Sequence, residues 1–134
     1  LGDVYKRQAL EYLTRVMKRH CTAFLISDFY DQKDYQHALQ IANQKHDVVG
    51  IQVYDPRGKQ LPDVGLLKVM DAETGHEMYI DTSSKKLRIA HAQNWLRRQD
   101  QLRQLFAKSK VDWTSIATNE DFSKSLLALF KQRG

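Results

Sequence analysis

The chain has 134 residues, 42% hydrophobic and 10% aromatic, with a formal net charge of +5. This length and composition describe one globular domain or part of one, and exclude a disordered chain. No apolar run reaches the roughly 20 residues of a membrane helix, no secretory signal opens the chain, and the lone Cys21 excludes an internal disulfide. A cytoplasmic location is expected from the last two features.

The first segment stands apart. Asp3-Val4-Tyr5-Lys6-Arg7-Gln8 reads as a translation of the transposon-adaptor sequence GATGTGTATAAGAGACAG. Residues 1–8 are therefore expected to be non-native, with the natural domain spanning 9–134. Residues 9–19 carry Leu10, Leu13 and Met17 at helical spacing. Residues 21–27 form a nearly continuous apolar run, expected to be a strand buried on both faces as in a parallel sheet. Residues 31–46 repeat the helical spacing through Tyr35, Leu39 and Ala42, with Asp31 or Asp34 available as the N-cap. Residues 48–54, Val-Val-Gly-Ile-Gln-Val-Tyr, make a second buried strand that Asp55-Pro56 ends.

Residues 57–65 read as a loop. Residues 66–70 and 77–81 follow as an antiparallel pair around a turn, where Gly75 can take a positive φ. Thr82, Ser83 or Ser84 is expected to cap a long helix running to about Ser109, with Leu87, His91, Trp95, Leu102, Leu105 and Phe106 as its apolar stripe. Residues 111–118 form a third core strand. Residues 121–131 form a closing helix with Phe122, Leu126, Leu129 and Phe130 inward. Strands alternating with helices imply an α/β fold with a mainly parallel sheet and an inserted hairpin. Three core strands are few for such a domain, so an N-terminal half is expected to be missing.

Asp28 is the sharpest candidate for chemistry, because ligands bind open α/β sheets beyond the carboxyl ends of the strands. A carboxylate there can hold Mg²⁺ or act as a nucleophile, and an isolated one is a turn or cap residue about as often. Phe29 follows it. Asp55-Pro56 and Pro62-Asp63 form a second candidate, a lip for a partner or a plain connector into the hairpin. The histidines have no zinc-helix spacing, and no phosphate-binding glycine motif follows a strand. Cys21, Trp95, Trp113 and His91 are most simply packed. Between Lys85 and Lys110, eight Lys or Arg residues face only Asp100. That segment is +7 and the remainder of the chain −2. A solvated face accounts for this helix better than nucleic-acid binding does, since no aromatic or glycine-rich nucleic-acid motif accompanies it.

Several short runs together carry a family resemblance. They are Ala9-Leu10-Glu11-Tyr12-Leu13, Phe24-Leu25-Ile26-Ser27-Asp28-Phe29, His46-Asp47-Val48-Val49, Asp55-Pro56, Leu61-Pro62-Asp63-Val64-Gly65-Leu66, Asp71-Ala72-Glu73-Thr74-Gly75 and Ile80-Asp81-Thr82-Ser83. The combination resembles the bacterial domain of unknown function fifty-eight, which carries a von Willebrand factor A-like domain. The resemblance implies a Rossmann-like von Willebrand A sheet flanked by helices, with this chain as its C-terminal portion. It also implies a metal-ion-dependent adhesion site in which Asp28 matches the Asp after the fourth strand. The Asp-x-Ser-x-Ser motif and the Thr loop of that site are absent here, so Asp28 is expected to be a remnant. Mg²⁺ would then belong to the full-length protein and not to this chain.

The implied role is non-enzymatic. It is that of an adaptor beside a MoxR-type AAA+ ATPase in the maturation of protein complexes, with Asp28, Phe29, Asp55, Pro56, Pro62 and Asp63 facing the partner. Two alternatives are a Mg-dependent phosphotransfer or phosphatase domain using Asp28, and nucleic-acid binding through the helix at 85–110.

Overall fold

The computed structural model describes residues 2–30, 35–71 and 74–134. Helix α1 (Gly2–Val16) leads into strand β1 (Thr22–Ser27), helix α2 (Gln36–Lys45) and strand β2 (Asp47–Tyr54). A one-turn helix α3 (Pro56–Lys59) precedes the hairpin β3 (Leu66–Met70) and β4 (Glu77–Asp81). Helix α4 (Lys85–Ser109), strand β5 (Asp112–Ala117) and helix α5 (Phe122–Arg133) complete the chain. The main sheet is parallel with order β1-β2-β5, and the hairpin is a separate antiparallel pair.

Helices α1, α2 and α4 cover one face of this sheet. Their core joins Leu10, Tyr35, Leu39, Ala42, Val48, Leu102, Leu105 and Phe106. Gly50 sits where the central strand meets α4. A Cβ there would lie 2.7 Å from Phe106 Cζ and 3.2 Å from Trp113 Cβ, so only glycine admits the ring. The opposite face buries Val49, Ile51 and Ile116, and α5 packs there on β5. Arg133 fixes the end of α5 by ion pairs with Asp47 and Asp112, at the starts of β2 and β5.

His46, fully buried at the end of α2, joins three elements. Its Nδ1 accepts from the Cys21 backbone N–H at 3.2 Å and lies 3.4 Å from Cys21 Sγ, while Nε2 lies 3.2 Å from the Leu13 carbonyl oxygen. A neutral ring protonated at Nε2 satisfies all three. Asn43 does similar work at the other end. It receives the Val48 N–H and donates to the Lys110 carbonyl, where Lys110 closes α4 in the left-handed conformation.

The structure corrects several expectations. Strand β1, at the sheet edge among the described residues, is covered on one face and only partly on the other, where Phe24 meets Phe130 edge-on at 6.2 Å. Phe24 and Ile26 are 47% and 64% exposed, because α5 reaches β5 but not fully across to β1. For the same reason Phe122 and Phe130 of α5 are 61% and 47% exposed, and Leu129 alone is buried. Helix α1 begins at Gly2 and ends at Val16. Helix α2 begins at Gln36 with Tyr35 as its N-cap, and Asp31 and Asp34 lie outside the described residues. Part of the expected loop winds into α3, for which Asp55 is the N-cap and Pro56 the first helical residue.

The hairpin and the start of α4 follow expectation. Ser84 Oγ accepts from the Leu87 N–H and caps α4. Buried Thr82 ties the base of the hairpin: its Oγ1 donates to the Gly65 carbonyl at 2.6 Å and accepts from the Val64 N–H. Gly65 and Gly75 both have positive φ, 78° and 71°, as the two reversals require.

Candidate functional site

The carboxyl ends of adjacent strands carry adjacent acids. Asp28 follows β1 directly and Asp55 follows β2 directly. Both line one cleft of about 190 Å³. Its walls are aromatic. Tyr54 stacks at a tilt on Trp95 with centroids 4.9 Å apart, and the Arg98 guanidinium lies 4.2 Å from the Tyr30 ring centroid. Its base is a closed amide network. Buried Gln52 exchanges hydrogen bonds of 2.7 and 3.0 Å with Gln99 of α4 and accepts a third from Ser115 Oγ at 2.8 Å. A polar group on the central strand is tolerated because both its amide nitrogen and its amide oxygen are hydrogen-bonded.

The two acids are held differently. Asp28 Oδ1 accepts from the Tyr30 N–H at 3.0 Å, which folds the chain sharply past the strand end. Phe29 between them has φ 50°, a left-handed conformation uncommon outside glycine. Its N–H donates to Ser27 Oγ, and its buried ring packs edge-on against Phe106 at 5.3 Å. The turn is thus anchored from the core, and Asp28 remains exposed at its crest.

Asp55 accepts from the Arg57 N–H at 2.9 Å and from the Arg57 guanidinium through both oxygens. The side-chain hydrogen bonds from Arg57, followed by the backbone bond, hold its carboxyl at about 2. Partial burial first, then the Glu120 charge, raises the Tyr54 phenol above its usual value.

The folded value for Asp55 lies below the unfolded one. Its contribution to stability is therefore complete above the ordinary value of about 3.9 and is lost as pH falls through about 2. An NMR titration of the side-chain carboxyl is expected to show a midpoint near 2, rising toward about 3.9 in Arg57→Ala. A midpoint that ignores the substitution contradicts the assignment to Arg57.

The structure brings Asp28, Phe29 and Asp55 together. Pro56, Pro62 and Asp63 do not line this cleft; they surround a neighbouring depression with Arg57 and Arg88, where Asp63 pairs with Arg88 at 3.4 Å. Sequence reasoning missed Gln52, Tyr54, Arg98 and Gln99, and assigned Trp95 to the core. Gln52 had a signal, being the one polar side chain inside an otherwise apolar central strand.

Magnesium was implied at Asp28 by resemblance. Asp28 Oδ1 is engaged by backbone and both Asp55 oxygens by Arg57. Among the described residues no group of three His, Cys, Asp or Glu side chains can hold a metal ion. The described residues by themselves do not fit the ion.

Residues 3–101 match the family model described as protein of unknown function DUF58. The chain belongs to the DUF58 family. Curated proteins similar to it include uncharacterised mycobacterial ones. An uncharacterised protein of Mycobacterium avium is 40% identical over 67 residues, covering 50% of this chain and 40% of the relative. Uncharacterised proteins of Mycobacterium bovis and Mycobacterium tuberculosis are each 39% identical over 67 residues, covering 50% of this chain and 21% of each relative. The chain thus matches well under half the length of these relatives. No solved structure matches it. Among the described residues no helix is long and apolar enough to cross a membrane.

Proposed function

We propose that this DUF58 domain is a non-enzymatic docking module of the von Willebrand A type. In this reading it works in the cytoplasm as an adaptor beside a MoxR-type AAA+ ATPase in the maturation of protein complexes. One observation carries the reading. The exposed Asp28 and Asp55 flank a single aromatic-walled cleft at the carboxyl ends of neighbouring parallel strands, the place where open α/β sheets take their ligands. Asp28 presents its charge from a turn anchored in the core, so little ordering remains to be done on binding.

The test is a titration of the domain with a MoxR-type AAA+ ATPase. Asp28→Ala is expected to weaken binding at least tenfold, about 1.4 kcal/mol or more, while stability falls by at most about 1 kcal/mol, because only the exposed hydrogen bond to the Tyr30 N–H is lost. EDTA is expected to leave the affinity of this chain unchanged, because its described residues include no group of three metal-ligating side chains. An affinity that ignores Asp28→Ala removes the cleft from the interface.

A further inference from the structure

Helix α4 carries two apolar stripes. The C-terminal one, Leu102, Leu105 and Phe106, enters the core. The N-terminal one does not. Ile89 and Leu96 lie seven residues apart, two turns along one helical face, yet are 48% and 64% exposed.

With Leu61, Ala92 and Trp95 these two residues floor a depression of about 440 Å³ between α3 and α4. Lys59, Lys85 and Arg88 stand at its rim, and no Asp or Glu lines it among the described residues. The adjoining depression brings Arg57 to the same side and contains Asp63, which shares Arg88. The charge excess read from the sequence is therefore not spread evenly over a solvated helix. Part of it borders exposed apolar surface, and Trp95 separates this groove from the Asp28 cleft.

Apolar anchors give an interface its energy, and complementary charge gives it orientation and rate. A groove with an apolar floor and a cationic rim selects the inverse pattern. We infer that the α3–α4 groove docks an acidic segment of a partner protein, one that carries two or three apolar side chains among Asp or Glu residues. The stripe from Ile89 to Leu96 is about 10 Å long. That length matches anchors two turns apart, seven residues along a short helix, with room for a third on the turn between them. The inference is independent of the Asp28 cleft: a cleft that binds nothing leaves it untouched.

Panning a random dodecapeptide display library on the whole chain tests it. The expected result is enrichment of peptides that combine Leu, Ile, Phe or Trp with Asp or Glu. The selected peptide, labelled and titrated by fluorescence anisotropy, is expected to bind at least tenfold more weakly to Leu96→Glu and to Ile89→Glu, and about threefold more weakly to Lys85→Glu. Two separate exposed positions keep the result readable if one variant misfolds. A Lys-for-Glu exchange in the peptide is expected to restore affinity for Lys85→Glu, and Asp28→Ala is expected to change nothing. Enrichment of neutral or basic peptides, or affinity that ignores both apolar substitutions, overturns the inference. So does a concentration-dependent dimer that Leu96→Glu abolishes, which would make a second copy the occupant.

Discussion

Phe106→Ala is expected to lower the free energy of unfolding by about 3–5 kcal/mol in chemical denaturation. The ring is fully buried and has no second place to go. It meets Phe29 edge-on at 5.3 Å, stacks on Trp113 at 5.2 Å, and lies over the bare Cα of Gly50. Removing it opens a void walled by an aromatic cluster and a strand, neither of which collapses easily. The same geometry predicts the reciprocal change. Gly50→Ala drives a methyl group to within 2.8 Å of two ring carbons and is expected to cost about 1–3 kcal/mol. In a Phe106→Leu background that cost is expected to shrink, because the two positions share one space. Additive losses in the double variant would show that Gly50 is not kept small by this ring. The effect also reaches the candidate site, since Phe106 supports the Phe29 ring and Phe29 sets the turn that presents Asp28.

A comparable effect is expected in the state of association. Among the described residues no strand lies beside the outer edge of β1, and its sequence, Thr-Ala-Phe-Leu-Ile-Ser, carries neither charge nor proline. Native edge strands usually hold such protection against pairing with other chains. With Phe24 and Ile26 exposed beside that edge, the chain is expected to self-associate at micromolar concentration. Ile26→Lys is expected to shift sedimentation toward the monomer while changing stability by no more than about 0.5 kcal/mol, as surface substitutions do. Sedimentation identical in the parent and the variant would show that this edge is inert.

Much of the fold was legible in the residues because it rests on local rules. The alternation of strands and helices, the hairpin at 66–81 and the Ser84 cap each follow from spacing, turn chemistry or capping within a few residues. The buried stripe of α2 was legible for the same reason, since Tyr35, Leu39 and Ala42 stand at helical intervals. The errors came where neighbours in space decide. An apolar strand reads the same at the centre of a sheet and at its edge, so β1 looked buried on both faces. Apolar residues on α5 read as inward until the helix is seen to cover only part of the sheet. Trp95 read as core because a large apolar side chain usually is, and it lies instead between two clefts.

The candidate site divides the same way. That Asp28 and Asp55 each end a strand follows from the sequence, because an apolar run stops at each of them. That they share one cleft was decided by the parallel pairing of β1 with β2, which sets the two strand ends side by side. Membership of the DUF58 family rests on the match of residues 3–101 to the family model, a property of the primary structure. The Gln52–Gln99–Ser115 network and the cation-rimmed groove on α4 join residues from different elements. Only tertiary structure decided those features, because hydrogen bonds and charge pairs depend on distance in space, while periodicity records only which way each side chain faces.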